Sequence, residues 1–401
     1  MDRSDLAPRL SRRAAAISPS PTIRVAAIAR ALMGEGRDIV DFSVGEPDFP
    51  TPAAACEAAR RAIDAGRTGY TANEGIAELR GAVSRKLERE NGVVYDPADI
   101  LVSCGAKASL FLAAMTLLDD GDEAILFSPY WVSYPEQIRL AGASPVVVET
   151  RVEDGFRPDP RAFEAAITPR TRAVILNFPC NPTGATCSVE HLGALVDVAL
   201  ARDLWIISDE IYERLTFDGR VTPCAAAVSA RARSKVVVIN GMSKAYAMTG
   251  WRIGFAAGPR AVIRAMANLQ SHQTGNATSV AQWAAVGALE GDGRELRDMV
   301  SSFARRRDFV HEALTAVPGI RSHRPEGTFY AFPDVRAYLG PGLPTSVELA
   351  VQLLETEGVA VVPGEAFGAA GHVRISFATA EERVREGLIR IARAFAAIGR
   401  G

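Results

Sequence analysis

A lysine and an arginine eight residues apart, Lys244 and Arg252, carry the strongest chemical signal in this 401-residue sequence. They lie in the run Asn240-Gly-Met-Ser-Lys-Ala-Tyr-Ala-Met-Thr-Gly-Trp-Arg-Ile-Gly254. A lysine that forms a Schiff base must first lose its proton, which burial or a nearby cation promotes. A guanidinium such as that of Arg252 disfavours the ammonium form of a neighbouring lysine, and its planar fork also suits phosphate oxygens. The pair therefore predicts a reactive amine and a phosphate anchor in one site.

An aldehyde-binding lysine beside a phosphate anchor is what pyridoxal 5'-phosphate requires, and that cofactor acts as an electron sink for carbanions. The competing interpretation is an ordinary surface lysine near a tryptophan–arginine pair in the core. We prefer a cofactor site because two further segments place polar groups after apolar runs. Asn181 follows the run over 173–176, and Asp209 ends the run that begins at Trp205, with Tyr212 three residues later. Ligands bind at the carboxyl ends of strands in a parallel α/β sheet.

Composition limits the class of protein further. A chain of 401 residues is long for one ordinary domain, so we expect two. The formal net charge of -2 gives no basic surface for nucleic acid or anionic lipid, which favours a small-molecule partner. Five cysteines, an odd number with no Cys-x-x-Cys pair, favour reduced thiols in a cytoplasmic protein. The scattered histidines form no metal-binding pattern, and no apolar run reaches the roughly 18 residues that span a bilayer.

Alternating periodicities predict an α/β fold. Apolar positions at helical spacing run from about residue 51 to 65 and over 75–90. Short apolar runs predict strands over 100–102, 124–127, 145–148, 173–176, 204–207, 236–239 and 253–256. Most are separated by helical stretches, as expected of βαβ units and a largely parallel sheet. From about residue 290 the pattern changes to a long charged helix over 294–317, followed by a strand–helix–strand set and a C-terminal helix.

From about residue 9 to its end, the chain resembles the class I aminotransferases of the pyridoxal-phosphate fold-type I superfamily, and in particular their bacterial aspartate aminotransferase branch. The motifs that carry the resemblance are Gly45-Glu-Pro-Asp-Phe49, Tyr70, Gly105-Ala-Lys107, Ser128-Pro-Tyr-Trp-Val-Ser-Tyr134, Asn181-Pro-Thr-Gly184, Asp209-Glu-Ile-Tyr212, Ser243-Lys244, Gly250-Trp-Arg252 and Arg374-Ile-Ser-Phe377. The resemblance implies a large domain with a mainly parallel seven-stranded sheet flanked by helices, and a smaller α/β domain. The implied boundaries are 1–48 for an N-terminal arm and part of the small domain, 49–292 for the large cofactor domain, and 293–401 for the rest of the small domain.

The resemblance also implies a reaction, in which a ping-pong transaminase converts L-aspartate and 2-oxoglutarate to oxaloacetate and L-glutamate. The alternative is a same-fold enzyme that acts on an aromatic, neutral or basic amino acid by transamination, elimination, cyclisation or oxidation. Both would use Lys244. A ligand-sensing regulator of this fold would carry a winged-helix segment and a basic surface; the sequence shows neither, so we expect an enzyme.

Carried over residue by residue, the resemblance implies roles around the cofactor ring. Lys244 would hold the cofactor as an internal aldimine and shuttle a proton between the substrate and the cofactor. Asp209 would keep the pyridine nitrogen protonated, while Tyr212 and Asn181 would hydrogen-bond the phenolic oxygen. Trp131 would lie on the ring face. The simpler alternatives are a helix cap for Asp209, a turn for Asn181 and a core position for Trp131.

The start of a helix is expected to bind the phosphate. Gly105, Ala106 and Lys107 follow a predicted strand, so free backbone N-H groups and the helix dipole would face an anion there. Many relatives carry a phosphate-binding hydroxyl three residues before the lysine, whereas this sequence has Gly241. Phosphate anchoring is therefore expected to depend more on Arg252, the helix start and a tyrosine from a second subunit, with the part of Ser243 left open.

That tyrosine is Tyr70, which resembles the residue that reaches the neighbouring subunit's phosphate and implies a symmetric homodimer. The arginines near the N-terminus suggest a targeting peptide, but Asp2 and Asp5 weigh against it, and the resemblance implies an ordered arm. Those arginines are Arg3, Arg9, Arg12 and Arg13. Relatives that accept prephenate often have a basic residue just before a Pro-Ser-x-Thr motif, and Ser18 in that place predicts that prephenate is disfavoured.

Cations are expected to recognise the substrate. Arg374 matches the family's arginine for the α-carboxylate, which a planar fork binds bidentately. The main chain at Gly45 would approach from the other side, with Trp131 and Asn181 completing the substrate pocket. Lys107 matches a lysine associated with the distal carboxylate, so it predicts a dicarboxylate substrate. The alternative for Lys107 is a solvent-exposed lysine at a helix start.

Overall fold

A computed structural model of the protein describes residues 11, 14, 17 and 21–399, with the backbone alone for 21–26. Most of the predicted N-terminal arm, including its arginines and Ser18, lies outside the described residues. The strands are β1 (Val40–Asp41), β2 (Ile100–Ser103), β3 (Glu123–Ser128), β4 (Ser144–Glu149), β5 (Thr171–Asn177), β6 (Trp205–Asp209), β7 (Val236–Gly241), β8 (Gly254–Ala257), β9 (Tyr330–Ala331), β10 (Val359–Ala360), β11 (Val362–Pro363) and β12 (Val373–Ser376).

Helices alternate with the strands through the middle of the chain, as the sequence predicts. They are α1 (Pro21–Gly34), α2 (Ala53–Asp64), α3 (Ala77–Asn91), α4 (Ala106–Leu117), α5 (Ser133–Leu140), α6 (Pro160–Ala166), α7 (Val189–Ala201), α8 (Arg260–Gln273), α9 (Ser279–Glu290), α10 (Arg294–Thr315), α11 (Ser346–Glu357) and α12 (Glu381–Ile398). Among the described residues, every helix is too short or too polar to cross a bilayer.

The main sheet of the described chain has seven strands in the order β2-β8-β7-β6-β5-β3-β4. Strands β3 to β7 pair in parallel, whereas β8 runs antiparallel to both β2 and β7. Each predicted apolar run matches one of these strands to within two residues at either end. The predicted mainly parallel seven-stranded sheet is therefore confirmed.

Both faces of the main sheet are buried except at its edge strand β4, which explains why most of its strands are continuous apolar runs. Side chains alternate between the faces with period two. In β7, Val236 and Val238 belong to one hydrophobic cluster, whereas Val237 and Ile239 belong to another on the opposite face. The helices that connect the strands cover these two layers, as in doubly wound α/β folds.

A second group of strands draws on both ends of the chain. β1 pairs in parallel with β10, and β12 lies between β11 and β9 in an antiparallel sheet. Helix α12 packs closely on β1, since a Cβ at Gly387 would overlap the Phe42 ring. This arrangement agrees with a smaller α/β unit built from both termini. The boundaries at residues 48 and 292 stay predictions.

The carboxyl ends of three strands carry the predicted site motifs. β2 leads into α4 through Gly105, whose φ of 85° favours glycine. β5 ends just before the loop that holds Asn181, and β6 ends at Asp209. Because β5 and β6 are parallel neighbours, their loops meet at one edge of the sheet, where ligands bind in such folds.

A buried lysine on α3 anchors the turn that follows β6. The ammonium group of Lys86 pairs with the carboxylate of Glu213 and also donates to Asn91 Oδ1 at 2.7 Å. Both charged side chains are buried. Glu213 directly follows Tyr212, so this ion pair fixes the backbone beside a predicted site residue.

We expect Lys86→Met to lower the free energy of unfolding by about 3–5 kcal/mol, because it leaves the Glu213 carboxylate buried without a counter-charge. Urea denaturation followed by circular dichroism measures the change. Adding Glu213→Gln to Lys86→Met should restore much of the lost free energy of unfolding. Arg61→Ala is the control, since it removes an exposed pair with Glu57 that contributes at most about 0.5 kcal/mol. An equally small effect of Lys86→Met would show that the buried pair does not anchor this turn.

Candidate active site

The predicted residues converge on one cavity of about 390 Å³ at the carboxyl ends of β5 and β6. Those that line it are Gly45, Ala106, Lys107, Trp131, Asn181, Asp209, Tyr212, Lys244, Arg252 and Arg374. Two predicted residues do not line it. Gly105 lies directly before Ala106 in the turn that starts α4, and Tyr70 is 98% exposed on the surface of this chain.

Lys244 is half-buried in the cavity, and its ammonium nitrogen donates to the Gly45 carbonyl oxygen at 2.5 Å. Burial, and then the charge of Arg374, lower the pKa of Lys244 to about 8, while Glu46 opposes this shift. Arg252 adds a smaller lowering. The sequence argument named burial or a nearby cation and proposed Arg252 as that cation; burial is indeed the largest cause, but the cation with the larger effect is Arg374. The lowered pKa itself agrees with a lysine prepared to act as a free amine.

Asp209 ends β6 as a buried carboxylate at the cavity wall. The hydroxyl of Tyr134 donates to its Oδ2 at 2.6 Å, and the Ile211 amide donates to Oδ1 at 3.3 Å. Burial raises the pKa of Asp209 to about 6, even though these hydrogen bonds oppose the shift. The bond from Ile211 shows that Asp209 also supports the following turn. The simpler interpretation, a helix cap, does not hold, because residues 211–214 form a turn and not a helix. A carboxylate this short of counter-charge also favours a cationic partner in the cavity.

Arg374 crosses the cavity from β12 and is buried. Its Nη1 donates to Asn181 Oδ1 at 3.1 Å and its Nη2 donates to the Ser43 carbonyl at 2.8 Å. The guanidinium carbon lies 4.4 Å from the Tyr330 ring centroid and 5.1 Å from that of Phe367. Its Nε is buried without a hydrogen-bond partner among the described residues. A buried, oriented cation with donor capacity left over suits an anionic group of a ligand.

Tyr212 follows Asp209 by one turn and is buried at the cavity wall. Its hydroxyl lies 3.0 Å from the Tyr330 hydroxyl. Burial is the main reason that the pKa of Tyr212 lies well above its usual value, so the phenol keeps its proton and can donate. The Asn181 amide also faces the cavity.

The opposite end of the cavity combines a helix start with a guanidinium. A Cβ at Gly105 would lie 2.5 Å from Arg252 Nη2, so only glycine lets the arginine approach this turn. Arg252 has a φ of 55° and donates to the Thr249 carbonyl at 2.9 Å, which fixes its direction. The first amides of a helix have no intrahelical partner and favour anions. Ser243 also lines the cavity.

Close packing explains the glycine where many relatives have a hydroxyl. A Cβ at Gly241 would lie 2.9 Å from both the Gly254 Cα and the Ile253 carbonyl oxygen. A Cβ at Gly254 would in turn overlap the Ala106 backbone at the start of α4. The strands β7 and β8 and the helix start are therefore packed too tightly for a side chain at position 241.

Two aromatic residues and a lysine form the outer wall. Lys107 Nζ lies 4.9 Å from the Trp131 ring centroid, a cation–π distance. Partial burial and the Arg252 charge lower the pKa of Lys107. Trp131 meets Tyr134 edge to face, with centroids 5.4 Å apart. Trp131 therefore lines the cavity while its ring packs against the ring of Tyr134.

Sequence reasoning missed two tyrosines that hold the site together. Tyr134 belongs to a motif that carried the resemblance, and its place three residues after Trp131 was the available signal. Tyr330 lies on the two-residue strand β9, which is too short to give a periodicity. Contacts made by such a strand depend on tertiary structure, so no local pattern could reveal them.

The donor set fits pyridoxal 5'-phosphate. An amine with a lowered pKa suits the aldehyde, a buried carboxylate suits a protonated ring nitrogen, and a helix start with Arg252 suits the phosphate. Arg374, with an unpartnered Nε, remains for a second anionic group such as a carboxylate. Fold and site together thus define the class of enzymes that use an aldehyde cofactor on amine substrates that carry a carboxylate.

Comparison with known proteins gives the family. The model for aminotransferase class I and II matches residues 37–391. The aspartate aminotransferase of Bacillus subtilis (strain 168) is 42% identical over 386 residues, which is 96% of this chain and 98% of that protein. The aspartate/prephenate aminotransferase of Thermus thermophilus is 46% identical over 393 residues, with 96% and 98% covered. A solved Thermus thermophilus aspartate aminotransferase with maleate superposes with a TM-score of 0.91 at 46% identity, covering 97% of this chain and 100% of that chain.

This chain belongs to the class I and II aminotransferase family. The resemblance, the fold type and the aminotransferase activity predicted from the sequence are confirmed. Membership of this family implies the use of pyridoxal 5'-phosphate.

Proposed function

We propose that the protein transfers the amino group of L-aspartate to 2-oxoglutarate by a ping-pong mechanism, with pyridoxal 5'-phosphate in the cavity. The observation that carries this proposal is a pair of cations, Arg374 and Lys107, which line the same cavity and suit the two carboxylates of a dicarboxylate. The names of the relatives support it, since they are aspartate or aspartate/prephenate aminotransferases. The solved Thermus thermophilus relative is described with maleate, which is also a dicarboxylate.

The cofactor would be held from several sides. Lys244 would bind its aldehyde covalently, and Asp209 would pair with its ring nitrogen. Tyr212 and Asn181 would donate to its phenolic oxygen, and Trp131 would cover its ring face. The phosphate would lie at the start of α4, as the turn packed against the arginine indicates. The groups for the phosphate are the main chain of Gly105, Ala106 and Lys107 at the helix start and the side chain of Arg252, which leaves the Lys107 side chain for the substrate. When bound, the cofactor supplies an electron sink for the charge left at the substrate α-carbon.

The protein's own groups account for binding and proton transfer. Arg374 orients the α-carboxylate, and its bonds to Asn181 and Ser43 restrict its motion. The Lys244 amine takes the proton from the substrate α-carbon, which requires that the amine be neutral. With a pKa of about 8, roughly a tenth of the amine is neutral at pH 7, far more than for an ordinary lysine. Trp131 and Phe367 add apolar surface to the cavity beside these polar groups.

The active unit in this proposal is a cytoplasmic homodimer in which Tyr70 reaches the phosphate of the neighbouring subunit. Its support is the exposure of Tyr70, which is 98% accessible and does not line the cavity of its own chain. A tyrosine has an apolar ring and a hydroxyl that can donate, so it is suited to contact a second subunit. The near-neutral charge favours amino and 2-oxo acids over nucleic acid or membranes as partners.

An absorbance titration of the cofactor-loaded protein against the twenty amino acids tests the assignment. Aspartate and glutamate should convert the chromophore to its amine form at lower concentrations than any other amino acid. Conversion by aromatic or basic amino acids alone would overturn the substrate assignment. Product formation without any keto acid would replace transamination by elimination or another lyase reaction. Prephenate, which Ser18 predicts to be a poor acceptor, should turn over more slowly than 2-oxoglutarate.

Lys107→Ala should lower kcat/KM for aspartate by about 10- to 100-fold, because one charge-assisted contact to the distal carboxylate is lost. Its effect on alanine as amino donor should be less than about threefold, since alanine has no distal carboxylate. Steady-state kinetics with both donors measure the ratio. An equal loss for both donors would assign Lys107 to the phosphate rather than to the substrate.

A further inference from the structure

We infer that Tyr330 is a positioning residue that couples the two halves of the site, because its hydroxyl orients Tyr212 and its ring holds Arg374. This inference rests on the proposed function, since Tyr212 and Arg374 act on cofactor and substrate only if both bind in the cavity.

The hydroxyl of Tyr330 has a fixed place. Tyr330 is buried, and its oxygen lies 3.0 Å from the Tyr212 oxygen. A Cβ at Gly45 would lie 2.8 Å from the same hydroxyl, so the main chain that accepts from Lys244 packs directly against it. The hydroxyl therefore lies between the Tyr212 hydroxyl and the main chain at Gly45.

The direction of this hydrogen bond follows from the charges that face it. The charged groups close to the two phenols are Arg374, Asp209 and Lys244, with Arg374 against the ring of Tyr330 itself. A cation beside a phenol makes it the better donor. The 3.0 Å distance allows either phenol to donate. Because Arg374 lies directly over Tyr330, the inferred arrangement has Tyr330 donating to Tyr212, and the Tyr212 proton then points at the cofactor's phenolic oxygen. Donors in such a chain strengthen one another.

The ring of Tyr330 acts on the substrate side. The guanidinium carbon of Arg374 lies over it, 4.4 Å from the ring centroid, and 5.1 Å from the Phe367 centroid. Contacts of this kind stabilise a buried cation and restrict its rotation. Two hydrogen bonds, to Asn181 and Ser43, hold the ends of the guanidinium, and the Tyr330 ring packs against its central carbon.

Two variants separate the two roles. Tyr330→Phe keeps the ring, so the dissociation constant of succinate should change by less than about twofold. It removes the hydroxyl, so the pH at the midpoint of the chromophore titration should rise by about 0.2–0.5 units in the cofactor-loaded protein. The shift is upward because a weaker bond from Tyr212 stabilises the phenolate less. Tyr330→Leu removes the ring as well, so succinate should bind about tenfold more weakly. Absorbance titrations with pH and with succinate measure both quantities.

The controls distinguish this inference from the proposed function. Tyr338→Phe removes the hydroxyl of another buried tyrosine, which donates to the Pro318 carbonyl away from the cavity, and should shift neither quantity. Tyr212→Phe should raise the titration midpoint more than Tyr330→Phe.

A wild-type protein that forms no chromophore with pyridoxal 5'-phosphate would overturn the proposed function. A normal chromophore with unchanged midpoint in Tyr330→Phe, or unchanged succinate binding in Tyr330→Leu, would overturn the coupling.

Discussion

Lys244→Ala should abolish the visible absorbance of the cofactor-loaded protein and lower kcat by about 10,000-fold or more. The expected loss is large because one amine provides both the covalent attachment of the cofactor and the proton transfer at the substrate α-carbon. Burial and Arg374 lower the pKa of this amine to about 8, and no other lysine lines the cavity in the described part of the chain except Lys107. Spectra and single-turnover kinetics with aspartate measure the two effects separately.

A second lysine, at the other end of strand β7, provides the control for Lys244→Ala. Lys235 directly precedes β7, while Lys244 follows it, and Lys235 pairs with Asp203 at 2.7 Å away from the cavity. Lys235→Ala should therefore leave both absorbance and kcat within about twofold. Borohydride reduction followed by peptide mapping should label Lys244 alone. Labelling of a peptide that lacks this residue would remove the basis of the proposed function.

Asp209→Asn should lower kcat by about 1,000-fold and weaken cofactor binding, because a neutral amide cannot stabilise a protonated ring nitrogen. The carboxylate is buried with two hydrogen bonds, from Tyr134 and Ile211, and its pKa is raised to about 6. A cationic ring nitrogen would supply the missing counter-charge, so the pKa of Asp209 should fall when the cofactor binds. Equilibrium titration with the cofactor and steady-state kinetics give the two losses.

Glu210 offers a matched control, since it is the next residue and is also buried with a raised pKa, of about 7. It accepts from the Ala225 amide at 3.0 Å and from the Ser208 hydroxyl at 2.9 Å, and it does not line the cavity. Glu210→Gln makes the same chemical change one position away and should keep both cofactor affinity and kcat within a few fold. If both variants lost activity equally, the effect would lie in the stability of the turn rather than in the cavity.

Much of the fold could be predicted because the strands of the main sheet, except the edge strand β4, are buried on both faces. Such strands leave continuous apolar runs, and each run matched a strand of the main sheet to within two residues. The helix start at Gly105 and the strand end at Asp209 were also predictable, since each follows an apolar run. Strands such as β9 and β11 have two residues each and leave no comparable pattern.

The features of the site that the sequence did not predict depend on contacts between segments that are far apart in the chain. Lys244 and Arg252 are close in sequence, so Arg252 was the natural candidate for lowering the lysine pKa. Arg374 has the larger effect although it is 130 residues away, because β12 brings it into the same cavity. Likewise, the bond from Tyr134 to Asp209 joins residues on α5 and β6 that share no sequence pattern.

The glycine at position 241 limits how the phosphate-binding site can change during evolution. A Cβ at this position would lie 2.9 Å from both the Gly254 Cα and the Ile253 carbonyl oxygen, so a serine or threonine cannot be introduced without displacing main chain. Exchange between the two modes of holding the phosphate, with or without that hydroxyl, is therefore not a single-step event. Such an exchange requires strands β7 and β8 and the start of α4 to move together. This requirement is a structural barrier between lineages that bind the phosphate with the hydroxyl and lineages that bind it without.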